Sequence, residues 1–394
     1  MSPNSSAKSP PISRVRLNPN TVLPSLSSGA HILVVRLRSI GDIVLLTPSL
    51  RLLKQWRPDL RISVLIESRF RELLAGNSCV DEVVSPRETG GWRELTAPVL
   101  TARELRKKEF CLCVNLHGGP RSAFLSRYCG ARWKAGFAHF RSRTVYDLAI
   151  PDAREILGQP HIHTVEHQAA AFFWLGLPRQ PIPRSELFPS EAGKAEWNNH
   201  LKSLGIDSGA DYAIIQPTAL YFTKEWPPER FAQIGDYIER SPGIIPIFSC
   251  GPGESGRLDE VERALHKPVR RVQDLSLSTF IAALDRAKLF VGNDSGPAHM
   301  AAALGRPVVV VFGSSSSRIW GPWLGTNDSL SVTGSAPGGI FRVVQNSYEC
   351  NPCRGDRCYQ FDRPQCILSV SFEQVRLAIE TVLAEAPGVA ANGR

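Results

Sequence analysis

The chain has 394 residues, 43% hydrophobic and 21% charged, with a formal net charge of +9. That length suits about two domains with cores of their own. No run approaches the ~18 apolar residues of a membrane-crossing helix. The positive balance favours an anionic partner (nucleic acid, phospholipid headgroups or a phosphorylated substrate), although a basic face is often only a soluble surface.

Residues 1–30 are rich in Ser, Pro and Asn and hold basic residues without the continuous apolar core of a signal peptide. They read as a disordered tail with too little apolar surface to offset chain entropy, on a protein that stays in the cytoplasm. The nine cysteines read as thiols or metal ligands rather than a disulfide frame.

His31 to Leu37 predicts a buried strand. Arg36-Leu37-Arg38-Ser39-Ile40-Gly41-Asp42 follows at its carboxyl end, where open α/β sheets bind ligands. Gly41 would let a substrate approach the backbone, and Asp42 could act as general base on a hydroxyl. Alternatively, Ser39 or Asp42 only caps the next helix. Asp42 to Trp56 has helical spacing, Arg61 to Ile66 alternates as a strand, Phe70 to Leu74 is a short helix and Val80 to Val84 a short strand. Glu94 to Lys108 reads as a helix, Phe110 to Leu116 as a strand and Pro120 to Cys129 as a helix with Pro in its first turn. Arg121 and Ser122 open that helix, and His117 before it is either a ligand contact or a satisfied structural histidine.

Leu177 to Pro189 holds four prolines and reads as a linker. The pattern then restarts with a strand at Tyr212 to Gln216, a helix at Pro228 to Arg240 and a strand at Ile244 to Ser249. Lys224 precedes that helix and could neutralise phosphate charge, while Trp226 reads as a packing anchor. Glu254, just past the third of these elements, could accept from ribose hydroxyls or be a solvated loop residue. Ser276 to Ala287 predicts a helix, Leu289 to Gly292 a strand, Ala298 to Leu304 a helix and Val308 to Phe312 a strand. Gly292-Asn293-Asp294-Ser295-Gly296-Pro297-Ala298-His299 spans a strand-to-helix junction, where backbone N–H groups and a Gly suit a diphosphate. Asp294 and Ser295 would orient those groups, and His299 could reach the ligand or be a structural histidine. Phe372 to Leu383 is a final amphipathic helix. Alternating strands and helices predict an α/β fold of two doubly wound halves facing a cleft.

Taken in order, Ser-x-Gly-Asp, Lys224-Glu225-Trp226-Pro227 to Phe231, Asp294-Ser295-Gly296-Pro297 with His299, and Trp320-Gly321-Pro322 resemble the heptosyltransferases of glycosyltransferase family 9. The resemblance runs from about His31 to Trp323. It implies a GT-B fold: a tail over 1–30, a Rossmann-like acceptor domain over 31–180, a nucleotide-sugar domain over 181–370, and a helix and tail over 371–394. It implies inverting transfer of a heptose from an ADP donor to the lipopolysaccharide inner core, at the inner face of the cytoplasmic membrane. Asp42 would be the base. Lys224, Glu254, Asp294, Ser295, Gly296 and His299 would hold the donor, and Ser39, Gly41, Arg121 and Ser122 would meet the acceptor. No metal is required if these groups carry the diphosphate charge, and no Asp-x-Asp pair stands near them.

Cys350, Cys353, Cys358 and Cys366 fall within seventeen residues. They suit a structural zinc, a disulfide or redox pair, or free thiols, and Arg354, Arg357 and Arg363 surround them. Two rival functions stand beside the transferase. A nucleotide-sugar epimerase would need a second acid/base across the cleft, for which the sequence offers no convincing candidate beyond His117. A basic, cysteine-rich nucleic-acid binder would leave the strand-end motifs unexplained.

Overall fold

His31-Ile32-Leu33-Val34-Val35 is buried at every position, the pattern of a parallel strand covered on both faces. It forms β1 (His31–Val35), which shares an all-parallel sheet with β2 (Arg61–Leu65), β3 (Glu82–Val84), β4 (Leu112–Asn115), β5 (Trp133–Phe137) and β6 (Leu148–Ile150). The computed structural model describes residues 18–88, 95–325, 341–353 and 355–386. Strand order in the first sheet is β3-β2-β1-β4-β5-β6. Its helices are α1 (Ile40–Val44), α2 (Thr47–Trp56), α3 (Ala97–Arg106), α4 (Pro120–Tyr128), α5 (Ala153–Leu157) and α6 (Thr164–Trp174).

The second half repeats the plan with β7 (Tyr212–Gln216), β8 (Ile245–Ser249), β9 (Arg271–Val272), β10 (Leu289–Asn293), β11 (Val308–Val311) and β12 (Phe341–Val344). Read from β9, its order β12-β11-β10-β7-β8-β9 is the same arrangement. The helices are α7 (Glu191–Ser203), α8 (Pro228–Arg240), α9 (Ser255–Leu265), α10 (Leu277–Arg286), α11 (Gly296–Ala303), α12 (Ser317–Trp320), α13 (Gln365–Leu368) and α14 (Phe372–Glu385). This is the expected α/β class. Each sheet reverses its order beside its first strand, between β1 and β4 and between β7 and β10, which is where open sheets of this kind bind ligands.

Three expectations need correction. Residues 18–30, assigned to the disordered tail, fold: Val22 and Leu23 are buried and the Leu23 N–H donates to Leu175 O at 3.0 Å. Residues 1–17 of that tail lie outside the described residues. The helix expected over Asp42–Trp56 is two helices broken at Leu45–Leu46, since Pro48 favours a helix start over a helix interior. β5, β6, α5 and α6 fill the stretch between Cys129 and the linker that had been left unassigned. There β5 reads Trp-Lys-Ala-Gly-Phe, with neither alternation nor a β-branched run to mark it.

Among the described residues, no helix is long and apolar enough to cross a membrane.

Candidate active site

Asp42 is the third residue of α1, and its carboxylate is heavily engaged. Oδ2 accepts from the Ser39 N–H at 3.1 Å and the Ser39 hydroxyl at 3.3 Å, while Oδ1 is ion-paired with the Arg36 guanidinium. Arg36 also donates to the Leu116 carbonyl, which ties the end of β1 to the end of β4. Asp42 therefore caps α1 while its side chain stays 18% exposed at the end of β1. Ser39 is exposed and free to meet a ligand with its remaining lone pair. His117 sits beside this lip: its N–H donates to Asn115 Oδ1, and burial, with Arg36 and Arg38 nearby, holds its imidazole below the usual range.

In the second half, Asp294 lies past the end of β10 and is buried. Its Oδ2 takes Lys224 Nζ at 2.7 Å and the Ser315 hydroxyl. Lys224 arrives from the loop after β7, and Ser315 from the loop after β11. Three strand ends thus converge on one carboxylate. Ser295 precedes α11, whose first N–H groups lie in the turn containing Gly296. His299, in the second turn of that helix, is buried; burial lowers its pKa against the opposing pull of Asp294 and Asp42. His299 Nδ1 and Asn293 Nδ2 are buried without a hydrogen-bond partner among the described residues, as are groups that a ligand or water completes.

The two halves meet at these loops. A Cβ on Gly41 would stand 2.8 Å from His299 Cδ2, and one on Gly296 would stand 2.7 Å from Ile40 Cβ. The start of α1 and the start of α11 are thus packed glycine to side chain in both directions. Asp42, Asp294 and Lys224 all act electrostatically on the same His299 ring. Two helix N-termini, a carboxylate from one half and a lysine from the other share one site. On the side of α6, Gln168 Nε2 donates to the Asp42 carbonyl at 3.3 Å, fixing α1 from behind.

Gly41 is buried against the His299 ring. Ser122 is wholly buried; it donates to Gly119 O at 2.8 Å and accepts from Asn115 at 3.2 Å, so it holds the start of α4 instead of meeting an acceptor. Arg121 beside it is exposed and available. Glu254 caps its own loop, with Oε2 accepting from the Gly251 N–H at 2.9 Å. Trp226 is an anchor: fully buried, it donates to Val370 O at 2.8 Å. Arg36 and Ser315 carry no role in the sequence reading. Ser315 was within reach of it, because it follows the end of β11 as Asp294 follows the end of β10.

Cys350, Cys353, Cys358 and Cys366 line one cavity of about 180 Å³ with Thr223 and Ser314. None of the four is in a disulfide. Among the described residues no group of three His, Cys, Asp or Glu side chains is already drawn together as a metal-ligand set. The segment also braces the loop that carries Lys224. Gly355 O accepts from the Thr223 hydroxyl, and the Cys353 N–H donates to Ser314 O at 2.9 Å. Arg354 lies outside the described residues.

The family model for glycosyltransferase family 9 (heptosyltransferase) matches residues 100–337. Over 368 residues the chain is 27% identical to lipopolysaccharide heptosyltransferase 3 of Escherichia coli (strain K12), covering 91% of this chain and 100% of that protein. It is 25% identical to lipopolysaccharide heptosyltransferase 1 of Pseudomonas aeruginosa over 383 residues, 90% of this chain and 98% of that one. In structure it is similar to a family 9 glycosyl transferase from Veillonella parvula, with a TM-score of 0.74 and 23% identity over 91% of this chain and 98% of that one. An Escherichia coli heptosyltransferase solved with ADP has a TM-score of 0.64 at 19% identity, over 89% and 99% of the two chains.

Proposed function

The chain belongs to glycosyltransferase family 9, and from that premise we propose that it moves a heptose, or a related sugar, from an ADP-sugar onto the inner core of lipopolysaccharide or a similar glycolipid. That it is a glycosyltransferase comes with the family. The nucleotide is supported by the Escherichia coli heptosyltransferase solved both with ADP and with ADP-2-deoxy-2-fluoro heptose, and the acceptor by the names of the lipopolysaccharide heptosyltransferases above. The reaction would take place at the cytoplasmic face of the inner membrane.

One observation carries the chemistry: the start of α1, which bears Asp42, packs on the His299 ring of α11, whose N-terminus follows the Asp294 that Lys224 ion-pairs at 2.7 Å. In the proposed step the acceptor hydroxyl oxygen bonds to the anomeric carbon as the bond from that carbon to the diphosphate oxygen breaks on the opposite face. The hydroxyl proton passes to Asp42, and the configuration inverts without a sugar–enzyme bond. Arg36 fixes the Asp42 carboxylate, as does Ser39. The departing diphosphate gains charge, which Lys224 and the first N–H groups of α11 would stabilise; Ser295 and Gly296 shape that turn and Asp294 aims the lysine. On this reading these groups carry the charge without a metal ion. Oε1 of Glu254 would accept from a ribose hydroxyl while Oε2 keeps its loop bond. Exposed Arg121 would meet an acceptor phosphate.

The test incubates the full chain with ADP-heptose and a deacylated inner-core oligosaccharide and follows mass. A gain of one heptose with release of ADP is expected. Donor conversion without acceptor would replace the proposal with an epimerase.

A further inference from the structure

The positive charge is not shared evenly between the halves. Residues 1–180 hold 25 Lys and Arg against 14 Asp and Glu, whereas 181–394 hold 21 against 23. Within the first half, 95–134 concentrates eight basic residues against two acidic ones. That stretch contains α3 and α4, which pack side by side on the first sheet.

Their outward face is mixed in a specific way. Along α3 and the turn before it, Leu95, Val99, Arg103, Arg106 and Lys107 are all exposed, at spacings of three, four and one that put them on a single stripe. Leu95 is 85% exposed and Val99 51%. On α4, Tyr128 is 48% exposed; its ring rests 4.8 Å from Phe124 and lies under the Arg127 guanidinium. Among the described residues, the carboxylates nearest the stripe are taken, Glu104 by Arg87 and Glu82 by Lys108, and Glu109 stands at its far end. Apolar side chains thus project among cations that have no ion pair among the described residues. Such a face gains in two ways at an anionic bilayer: the aliphatic and aromatic groups enter the headgroup boundary, and the cations meet lipid phosphates. A nucleic-acid backbone would repay the cations but not Leu95 and Val99.

We propose that the α3–α4 face of the first half docks on the anionic phospholipid surface of a membrane. Its position supports this. α4 starts at Gly119–Arg121, beside His117 and the Asp42 lip, so a bilayer against this face lies next to the side of the site that would take a lipid-anchored acceptor. The proposal rests on the glycolipid reading only for its purpose, since the docking itself needs no sugar.

The experiment is co-sedimentation of the full chain with vesicles of phosphatidylethanolamine and phosphatidylglycerol, and with neutral phosphatidylcholine vesicles. Binding to the anionic vesicles, weakened by salt and lost on the neutral ones, is expected. The triple variant R103E/R106E/K107E and the double variant V99S/Y128S should each lower vesicle binding at least about tenfold, while transfer to a deacylated, soluble acceptor stays at the wild-type rate. Wild-type vesicle binding by both variants would overturn the proposal. So would equal binding to neutral and anionic vesicles, binding to neither, or tighter binding to a duplex DNA at the same salt. If soluble transfer fails in every form of the protein but vesicle binding behaves as expected, the transferase reading falls and the docking face stands.

Discussion

At Asp42 a single carboxylate caps α1 and, in the proposed reaction, takes the acceptor proton, and substitutions separate the two. Alanine would remove the cap on α1, at about 1 kcal/mol, and leave the half-buried Arg36 without its partner. Asparagine keeps the shape and can still accept from Ser39, so it isolates the loss of basicity. Asp42→Asn should keep ADP affinity by calorimetry and lose roughly 10²–10⁴ in kcat, the span of general-base catalysis; a kcat within about threefold of wild type would remove Asp42 as base. Lys224 makes the complementary case. Lys224→Met keeps much of the stem but leaves buried Asp294 with only the Ser315 hydroxyl among the described residues, so both donor affinity and stability should fall. ADP affinity should drop at least about tenfold by calorimetry, and unaltered affinity would free Lys224 from the diphosphate. Residues at this scale were legible where a strand end met a helix start. They were not legible where a role depends on a partner distant in sequence: Ser122 satisfies Asn115 and Gly119, and Arg36 bridges β1 to β4.

Two short helices, α1 and α11, make the contact on which the site depends, and both use a glycine at the point of approach. Gly41→Ala places a methyl 2.8 Å from the His299 ring, whose buried position leaves it little room to give. The halves should be forced apart locally. The expected result is a loss of transfer of tenfold or more with a melting temperature lowered by only a few degrees, since the sheets are untouched. Full activity would mean that this contact is not part of the working geometry. In the sequence, the long helix predicted through Asp42–Trp56 concealed α1 as a separate element, because Ile43, Leu46, Leu50 and Leu53 keep helical spacing across the break. By contrast β7 and α8 were bounded correctly: both have strong local signals, an apolar five-residue run and a Pro-started amphipathic helix. The cysteine segment was conspicuous in the sequence, but spacing alone could not reveal that it braces Thr223 and Ser314.

For the molecule as a whole, the joint between the halves also includes an imidazole held in its neutral form. His163 precedes α6 in the first half; Nδ1 accepts the Val165 N–H at 3.2 Å, and Nε2 lies 3.0 Å from Gly321 O in the second half, so the neutral ring carries its proton on Nε2. A second proton would have to displace the Val165 bond inside a buried site. Burial accordingly pushes the His163 pKa down to about 3, and that of His167, stacked on Phe137, to about 4. Both rings bind protons more weakly in the folded chain than in the unfolded one. Protonation therefore favours unfolding: stability is intact above about pH 6.5 and declines as the pH falls toward those depressed values. At pH 5 each histidine should remove about 2 kcal/mol, an order-of-magnitude figure taken from the shift below 6.5. Thermal melts between pH 7 and pH 5, a window in which most carboxylates stay ionised, should show the melting temperature falling by several degrees. In His163→Gln the starting stability should be lower and the slope shallower. A wild-type melting temperature that stays flat across this window would mean that these imidazoles are not held neutral, and that the joint at Gly321 is open to water.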